Sequence, residues 1–514
     1  MRTAASVSFG PLLDAAAPAT GPTVKTLSSM TGEPLVELPQ CTEEDVAAAY
    51  ARAARAQQQW SLLPVRERAA VLLRLHDLLW DRKDEVIDLI QVESGKARWH
   101  AFGEVAGCTM NVRYYARRSA KLLAPVRRYG LIPGLTHVVE RRVPVGVVGV
   151  ISPWNYPFEL GLSDVLPALV AGNGVVHKPD NHGALSVLWG RRLLAEAGLP
   201  ADVYQVVLGD GPSVGSAVVE HADHICFTGS TRVGRLIAER AGQRLVGCSL
   251  ELGGKNPLLV LDDADPVRAA RGAVSDCFTS AGQLCGSSER IYVHDAVYER
   301  FVEELVRRVC RLRLGVGLEY GPNMGSLVSQ RHLETVRAHL DDAVAKGATV
   351  LAGGRHRPDI GPYVLEPTVL TGVTPEMTCY AEETFGPVVS VYRCATVEDA
   401  VAAANDSRYG LNGCVWGTDR RKAQRVAAQL QTGTVNVNEI FGASYGSVDS
   451  PMGGMKDSGL GRRHGIEGLL RFTEAQTVAT QRGINLEPQI PLRQETLTRI
   501  YTRMLRAFHT ARRR

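Results

Sequence analysis

No run of eighteen apolar residues occurs anywhere in the 514-residue chain, so a membrane-spanning helix is not expected. The first thirty residues carry Arg2 and some apolar positions, but Pro11 and Asp14 interrupt any secretory-signal core. The ten cysteines never fall at CxxC spacing and HExxH is missing, so neither a zinc site nor a disulfide framework is indicated. So many unpaired thiols suit a reducing compartment, and a cytoplasmic location is the expectation. Without a basic and aromatic motif of the nucleic-acid-binding kind, no nucleic-acid partner is expected either. A net charge of +4 points to no class of partner.

What remains is an ordinary globular composition, 45% apolar and 22% charged. The length predicts two to four domains. Residues 1–25, rich in Ala, Pro and Thr, read as a loosely ordered extension. From Glu43 to about Leu123 the periodicity is helical, as in the run Ala69-Ala70-Val71-Leu72-Leu73-Arg74-Leu75. A short alternating β stretch follows at 137–142. Apolar, β-branched runs at 146–152, 174–177, 203–208, 224–228 and 244–250 then alternate with helical segments. That alternation predicts βαβ units in a parallel, doubly wound sheet, with ligands beyond the carboxyl ends of its strands. The strand at 224–228 leads into Gly229-Ser230-Thr231-Arg232-Val233-Gly234. This GxxxxG turn is not the GxGxxG fingerprint, yet a glycine turn opening a helix offers free amides to a pyrophosphate.

The alternation resumes after Glu251. Strands are predicted at 257–261, 290–293, 388–392 and 412–416, helices near 296–312, 331–346, 397–405 and 419–430, and a further β run at 433–438. Near the end, Leu497, Ile500, Tyr501, Met504, Leu505 and Phe508 fall at helical spacing among arginines, including Arg512, Arg513 and Arg514. Such a basic amphipathic helix can lie on a membrane surface, but packing on the protein's own subunits is the favoured reading.

Two segments carry chemistry. Glu251-Leu252-Gly253-Gly254-Lys255 sets a carboxylate among glycines, and Gly282-Gln283-Leu284-Cys285 sets a thiol behind a Gly-Gln turn. A thiol attacks as thiolate, and a nearby carboxylate can serve as general base toward the thiol or toward water. Taken alone, a Cys/Glu pair reads as a buried structural cysteine and a surface glutamate. Two further segments change the reading: Pro153-Trp154-Asn155-Tyr156-Pro157 and Glu383-Thr384-Phe385-Gly386-Pro387. Together, in unbroken order over about residues 25–480, the four resemble the NAD(P)-dependent aldehyde dehydrogenase family.

The resemblance implies an α/β fold of two doubly wound parallel-sheet domains, one Rossmann-like and cofactor-binding, the other catalytic, with a small β oligomerisation arm. The expected boundaries are an N-terminal extension and helices over 1–134 and the arm at 135–145. The cofactor domain follows at 146–255, the catalytic domain at 256–440, the return and second oligomerisation strand at 441–484, and the basic tail at 485–514. It also implies Cys285 as nucleophile, Asn155 with the Cys285 backbone N–H as oxyanion donors, and Glu251 as the base that activates water. Trp154, Asn155, Lys178, Pro179, Asp180, Asn181, Gly229, Ser230, Leu252, Glu383 and Phe385 are the implied cofactor contacts, with Glu383 on the nicotinamide ribose. Cys277 reads as helix interior. Lys456 and Arg462-Arg463-His464 read as structural or solvated.

The expected activity is oxidation of an aldehyde to its acid, in a homodimer or homotetramer. Succinate semialdehyde is the first expectation for substrate, because the whole chain resembles bacterial succinate-semialdehyde dehydrogenases. Better-known enzymes of that activity place arginines where this chain has Ser163 and Thr279, and a neutral hydroxyl cannot give a carboxylate the bidentate bond of an arginine. A neutral aliphatic or aromatic aldehyde is therefore the close alternative. NADP is expected over NAD, because Asn181 stands where NAD-preferring relatives carry a glutamate that would repel a 2′-phosphate. An acyl-coenzyme A-forming enzyme is disfavoured by Glu251, and a non-catalytic scaffold by the intact Cys285, Glu251, Asn155 and Glu383.

Overall fold

The structure, a computed structural model, describes residues 9–132, 134–482 and 493–511, with side chains up to 506 in the last stretch. The chain falls into two compact units, one of residues 1–122 and 144–474, the other of 123–143 and 475–514.

The larger unit is built on two sheets. Strands Val147–Ser152, Gly174–Pro179, Tyr204–Val206, His224–Thr228 and Gly247–Glu251 run parallel, with the short Gly459–Leu460 antiparallel at one edge. The order of connection reverses between the neighbours Val147–Ser152 and His224–Thr228. Strands Asn256–Val260, Ser288–His294, Thr368–Thr371, Val388–Cys394, Asn412–Trp416 and Thr434–Val437 form the second parallel sheet, closed at one edge by antiparallel Thr349–Ala352. Every residue of Gly174–Pro179, His224–Thr228, Asn256–Val260 and Asn412–Trp416 is buried. Helices cover both faces of such sheets, which is why these strands read in sequence as unbroken apolar runs rather than alternations. The fold is thus α/β with two doubly wound sheets.

Some elements differ from expectation for visible reasons. Thr349–Ala352 and Thr368–Thr371 were not anticipated; each is four residues long, and the first is exposed at both of its leading positions. Within the expected extension, residues 9–25 are tied down: Leu12 and Ala17 are buried, and the Ala17 N–H donates to the Val206 carbonyl at 2.7 Å. Residues 1–8 lie outside the described residues. Four helices, Glu43–Leu62, Val65–Asp81, Lys83–Ser94 and Arg98–Leu122, account for the helical stretch, the first opened by a Thr42–Asp45 capping box.

The smaller unit holds strands Val126–Arg128 and Thr136–Pro144, antiparallel to each other, and Thr473–Gln481, whose residues 474–480 are exposed. Helix Gln494–Ala511 ends it, with Ile500 and Leu505 exposed. Arg512, Arg513, Arg514 and the Phe508 side chain, all part of the expected basic amphipathic tail, lie outside the described residues. No helix among the described residues is long and apolar enough to cross a membrane.

Candidate active site

Glu251 closes the strand Gly247–Glu251 of the first sheet, and five residues later Asn256 opens the first strand of the second. The same carboxyl edge of the first sheet carries Pro153, Trp154 and Asn155 beyond Ser152, Asp180 beyond Pro179, and Gly229 and Ser230 beyond Thr228. Ser230 is the N-cap residue of helix Thr231–Arg244, makes no capping hydrogen bond from its side chain, and has no acidic residue in the turn after it. An unshielded helix N-terminus of this kind suits a phosphate.

Cys285 sits at the other sheet's amino edge, just before Ser288–His294. The turn that delivers it passes through three consecutive left-handed residues, Ser280 (φ 53°), Ala281 (φ 57°) and Gly282 (φ 70°). A Cβ on Gly282 would stand 2.1 Å from the Gly386 carbonyl oxygen, so only glycine fits there. The other two residues hold a conformation that costs an ordinary side chain roughly 1–3 kcal/mol, and surrounding bonds impose it. The Ser280 N–H donates to His100 Nδ1 (3.1 Å), Gln283 Oε1 accepts from the Val328 N–H (2.9 Å), and Asn256 Nδ2 donates to the Cys285 carbonyl (2.6 Å). Burial, and then the carboxylates of Glu251 and Glu383, push the Cys285 thiol up to about 12, with Arg463 pulling the other way. The resting group is a thiol that must lose its proton as it attacks. Cys277, inside helix Pro266–Phe278, is buried and its thiol pushed far up, so it is inert core.

Asn155 donates from Nδ2 to the Gln283 carbonyl at 2.9 Å, which fixes its amide beside the cysteine turn. Its own carbonyl accepts from Lys96 Nζ (2.6 Å), itself paired with Glu104 at 2.5 Å, both buried. Glu104 in turn accepts from the Phe158 and Glu159 N–H groups, so this ion pair holds the whole turn that carries Asn155.

Glu251 is buried, and its Oε2 has no hydrogen-bond partner among the described residues. Burial pushes its carboxyl up to about 7, against the pull of Arg463 and Arg471. A base poised there can both take and return a proton near neutral pH. Arg463, which sequence reading set aside as structural or solvated, is one of the largest fully buried side chains. Its Nε and Nη2 bond both oxygens of Asp164 at 3.0 and 2.7 Å, Nη2 also donates to Thr228 Oγ1 at 2.9 Å, and Arg471 pairs with the same aspartate. The two guanidinium groups hold Asp164 well below the usual carboxylate range in spite of its burial. Two cations against one anion leave this cluster net positive where it faces Glu251.

Two cavities meet at Cys285. The narrower, about 210 Å³, is lined by Trp154, Asn155, Gly229, Ser230, Leu252, Glu383 and Phe385 among others. Glu383 Oε1 accepts from the Gly254 N–H at 2.8 Å, and burial followed by Glu289 pushes its carboxyl up to about 8. The buried Lys255–Glu289 pair fixes this loop, Glu289 accepting from the Thr384 and Phe385 N–H groups. The wider, about 540 Å³, runs the other way between Trp99, Met110, Phe278, Leu312, Ile440 and Phe441.

The sequence profile described as the aldehyde dehydrogenase family matches residues 16–478. The chain belongs to the aldehyde dehydrogenase family. A protein of Mycolicibacterium smegmatis, provisionally named succinate-semialdehyde dehydrogenase (NADP+), is 51% identical over 477 residues, covering 93% of this chain and 92% of its own. The phenylacetaldehyde dehydrogenase of Pseudomonas fluorescens is 36% identical over 467 residues, covering 89% and 92%. Among solved structures, betaine aldehyde dehydrogenase of Staphylococcus aureus in complex with NAD+ superposes with a TM-score of 0.87 at 31% identity, over 91% of this chain and 94% of that one. An NADP-dependent enzyme of E. coli does so with 0.85 at 32%, over 90% and 95%.

In this aldehyde dehydrogenase, Cys285, Glu251, Asn155, Trp154, Gly229, Ser230, Leu252, Glu383 and Phe385 all line one cavity. Lys178, Pro179, Asp180 and Asn181 do not; they end the adjacent strand, Pro179 pairing with Ser152. Lys178 is buried and its ammonium shifted down. Burial works against the Asp180 carboxylate, yet His182 and Lys178 keep it below its ordinary value, and its Oδ1 takes the His182 N–H at 2.9 Å. Asn181 donates from Nδ2 to Gln40 Oε1 at 3.0 Å. Among the described residues, no group of three or more His, Cys, Asp and Glu side chains could hold a metal.

Proposed function

We propose that this chain oxidises an apolar aldehyde, aromatic by preference, to its carboxylic acid through a thioester on Cys285, with NADP as the hydride acceptor. The carrying observation is the junction at Cys285 of a narrow polar cavity and a wide, mostly apolar one, with Glu251 lining both and Asn155 on the narrow side. Cys285 Sγ adds to the carbonyl carbon while its proton passes through water to the solvent. The new oxyanion takes hydrogen bonds from the Asn155 amide and the Cys285 backbone N–H. A nicotinamide bound in the narrow cavity supplies the acceptor for the hydride that the thiohemiacetal carbon gives up. Glu251 then takes a proton from water, whose oxygen attacks the thioester carbon; the carbon–sulfur bond breaks, the acid leaves, and Glu251 returns the proton to the Cys285 sulfur.

Residues along the narrow cavity fit a nicotinamide cofactor: the Ser230 cap leaves the helix amides open, and Glu383 offers a carboxylate for ribose hydroxyls. NADP is supported by Asn181 in place of an acidic side chain, by the engagement of Asp180 with His182, and by the name of the 51% identical relative. The exposed strand Thr473–Gln481 supports assembly as a homodimer or homotetramer.

That relative's name also favours a second reading, succinate semialdehyde. Against it, the hydroxyls at the two expected arginine positions turn to backbone: Ser163 Oγ donates to the Leu160 carbonyl and Thr279 Oγ1 to that of Ser275. The deciding experiment follows reduced nicotinamide by absorbance with phenylacetaldehyde, benzaldehyde, hexanal and succinate semialdehyde, each with NADP or NAD, with and without coenzyme A. A higher kcat/KM for succinate semialdehyde than for every apolar aldehyde overturns the apolar reading. Turnover that requires coenzyme A overturns the hydrolytic one.

A further inference from the structure

The wide cavity is mostly apolar, and one polar notch in it lies outside the catalytic groups. Glu159, 4% exposed, opens the short helix Glu159–Ser163 and reaches the cavity wall together with Tyr445 from the far loop. The Glu159 carboxyl and the Tyr445 hydroxyl face each other, and among the described residues neither Glu159 Oε1 nor that hydroxyl has another hydrogen-bond partner. The notch is built for this carboxyl, because a Cβ on Gly107 would stand 1.8 Å from Glu159 Oε1 and drive it out. Nothing in the mechanism above uses either group. Buried polar atoms are paired almost everywhere in folded proteins, and a carboxyl and a phenol with only each other in a substrate pocket keep hydrogen-bonding capacity for a ligand.

Resting on the functional reading above, we infer that Glu159 and Tyr445 form a specificity site for a hydroxyl group carried on the aromatic body of the aldehyde. Burial, and then the neighbouring Glu104, push the Glu159 carboxyl up to about 8, so near neutrality it is largely a protonated acid. In that form it both donates and accepts, as the phenol of Tyr445 does. A phenolic or benzylic hydroxyl is matched on both counts. A substrate carboxylate, an acceptor only, would leave the acceptor oxygens of the notch unused and would be repelled by the Glu104 anion close behind. Trp99, Phe278 and Phe441, which line the same cavity, offer ring surface to an aryl body.

The test compares kcat/KM for 3- and 4-hydroxybenzaldehyde and 4-hydroxyphenylacetaldehyde with benzaldehyde and phenylacetaldehyde. The full-length protein and its Glu159→Leu, Glu159→Gln and Tyr445→Phe variants are used, each checked by thermal melting. A pocket built to bond a hydroxyl discriminates strongly against the analogue lacking it. The expected result is a preference of about tenfold or more for at least one hydroxylated aldehyde, equivalent to roughly 1.4 kcal/mol. Glu159→Leu and Tyr445→Phe reduce it to about threefold or less, and Glu159→Gln, which keeps a donor and an acceptor, retains most of it. If Glu159→Leu fails to fold, Tyr445→Phe carries the test. Equal ratios in the wild type and Tyr445→Phe, or a better kcat/KM for succinate semialdehyde than for every hydroxylated aldehyde, overturn the inference. Absence of turnover with every aldehyde overturns the functional reading as well, and is thereby told apart from a failure of the inference alone.

Discussion

The two cavities that share Cys285 are made in different ways. The narrow one is assembled from turns at the ends of strands: Trp154 and Asn155, Gly229 and Ser230, Leu252, Glu383 and Phe385. Two of those turns are held by buried charge, Lys96–Glu104 under Asn155 and Lys255–Glu289 under Phe385. The wide one is assembled from the sides of helices and from loops, with helix Arg98–Leu122 contributing Trp99, Gly103, Gly107 and Met110 along one stripe. A wall of pinned turns tolerates little change and suits a part of the reaction that never varies. A wall of apolar side chains can be re-cut one residue at a time, and suits the part that does.

The largest effect comes from removing what the two cavities share. Cys285→Ala is expected to bring turnover to background with every aldehyde while fluorescence titration still shows NADP binding; activity above a few per cent would move the nucleophile elsewhere. Next, Asn155→Ala should lower kcat/KM by about 10²–10³-fold. The loss should be the same for small and bulky aldehydes, because Asn155 belongs to the invariant side. Phe441→Ala should instead change the ranking, costing a bulky aromatic aldehyde about tenfold or more and acetaldehyde little. A uniform loss from Phe441→Ala, or a selective one from Asn155→Ala, would dissolve the contrast between the walls.

Glu251 stands between them and sets a pH dependence. Its carboxyl, raised to about 7, is a base only when ionised. Deacylation should therefore fall about tenfold for each pH unit below about 7 and level off above it. Glu251→Gln should keep the first-turnover burst of reduced nicotinamide and abolish the pH-dependent turnover after it. Equal loss of burst and turnover would assign Glu251 to thiol activation alone. The smallest effect concerns the far end of the narrow side. Asn181→Glu should cost NADP about tenfold in kcat/KM and leave NAD nearly unchanged. Should the wild type prefer NAD, Asn181 does not set the cofactor.

The same contrast decided what could be read from sequence. Turns of glycine, proline and a single functional side chain are local, so the segments around Asn155, Glu251, Cys285 and Glu383 could be recognised as written. The parallel strands were equally plain, because burial on both faces makes them continuous apolar runs. Arg463 could not be read. It is buried only because Asp164, 299 residues away, meets its guanidinium, and a run of Arg-Arg-His in a glycine-rich loop otherwise looks solvated. Glu159 was equally hidden, since a glutamate opening a helix is an ordinary N-terminal residue until Gly107 and Tyr445 are placed around it. The stripe of helix Arg98–Leu122 reads as one helical face among many, because nothing in its own sequence names the cavity it borders.

Glu251 finishes a strand of one sheet and Cys285 precedes a strand of the other, so the base and the nucleophile ride on separate layers. The chain that joins the layers, residues 252–255, threads a slot with no room for a side chain at its two glycines. A Cβ on Gly253 would lie 2.3 Å from Glu383 Oε2, and one on Gly254 would lie 2.9 Å from the Cys285 carbonyl oxygen. A slide of one layer past the other would change the gap between carboxylate and sulfur and would also pull on the Asn155–Gln283 bond, because Asn155 extends from the first sheet and Gln283 belongs to the cysteine turn. Base, oxyanion donor and nucleophile therefore keep their spacing only while the two layers stay in register. A wedge at Gly254 should slow both the attack on the aldehyde and the later attack of water.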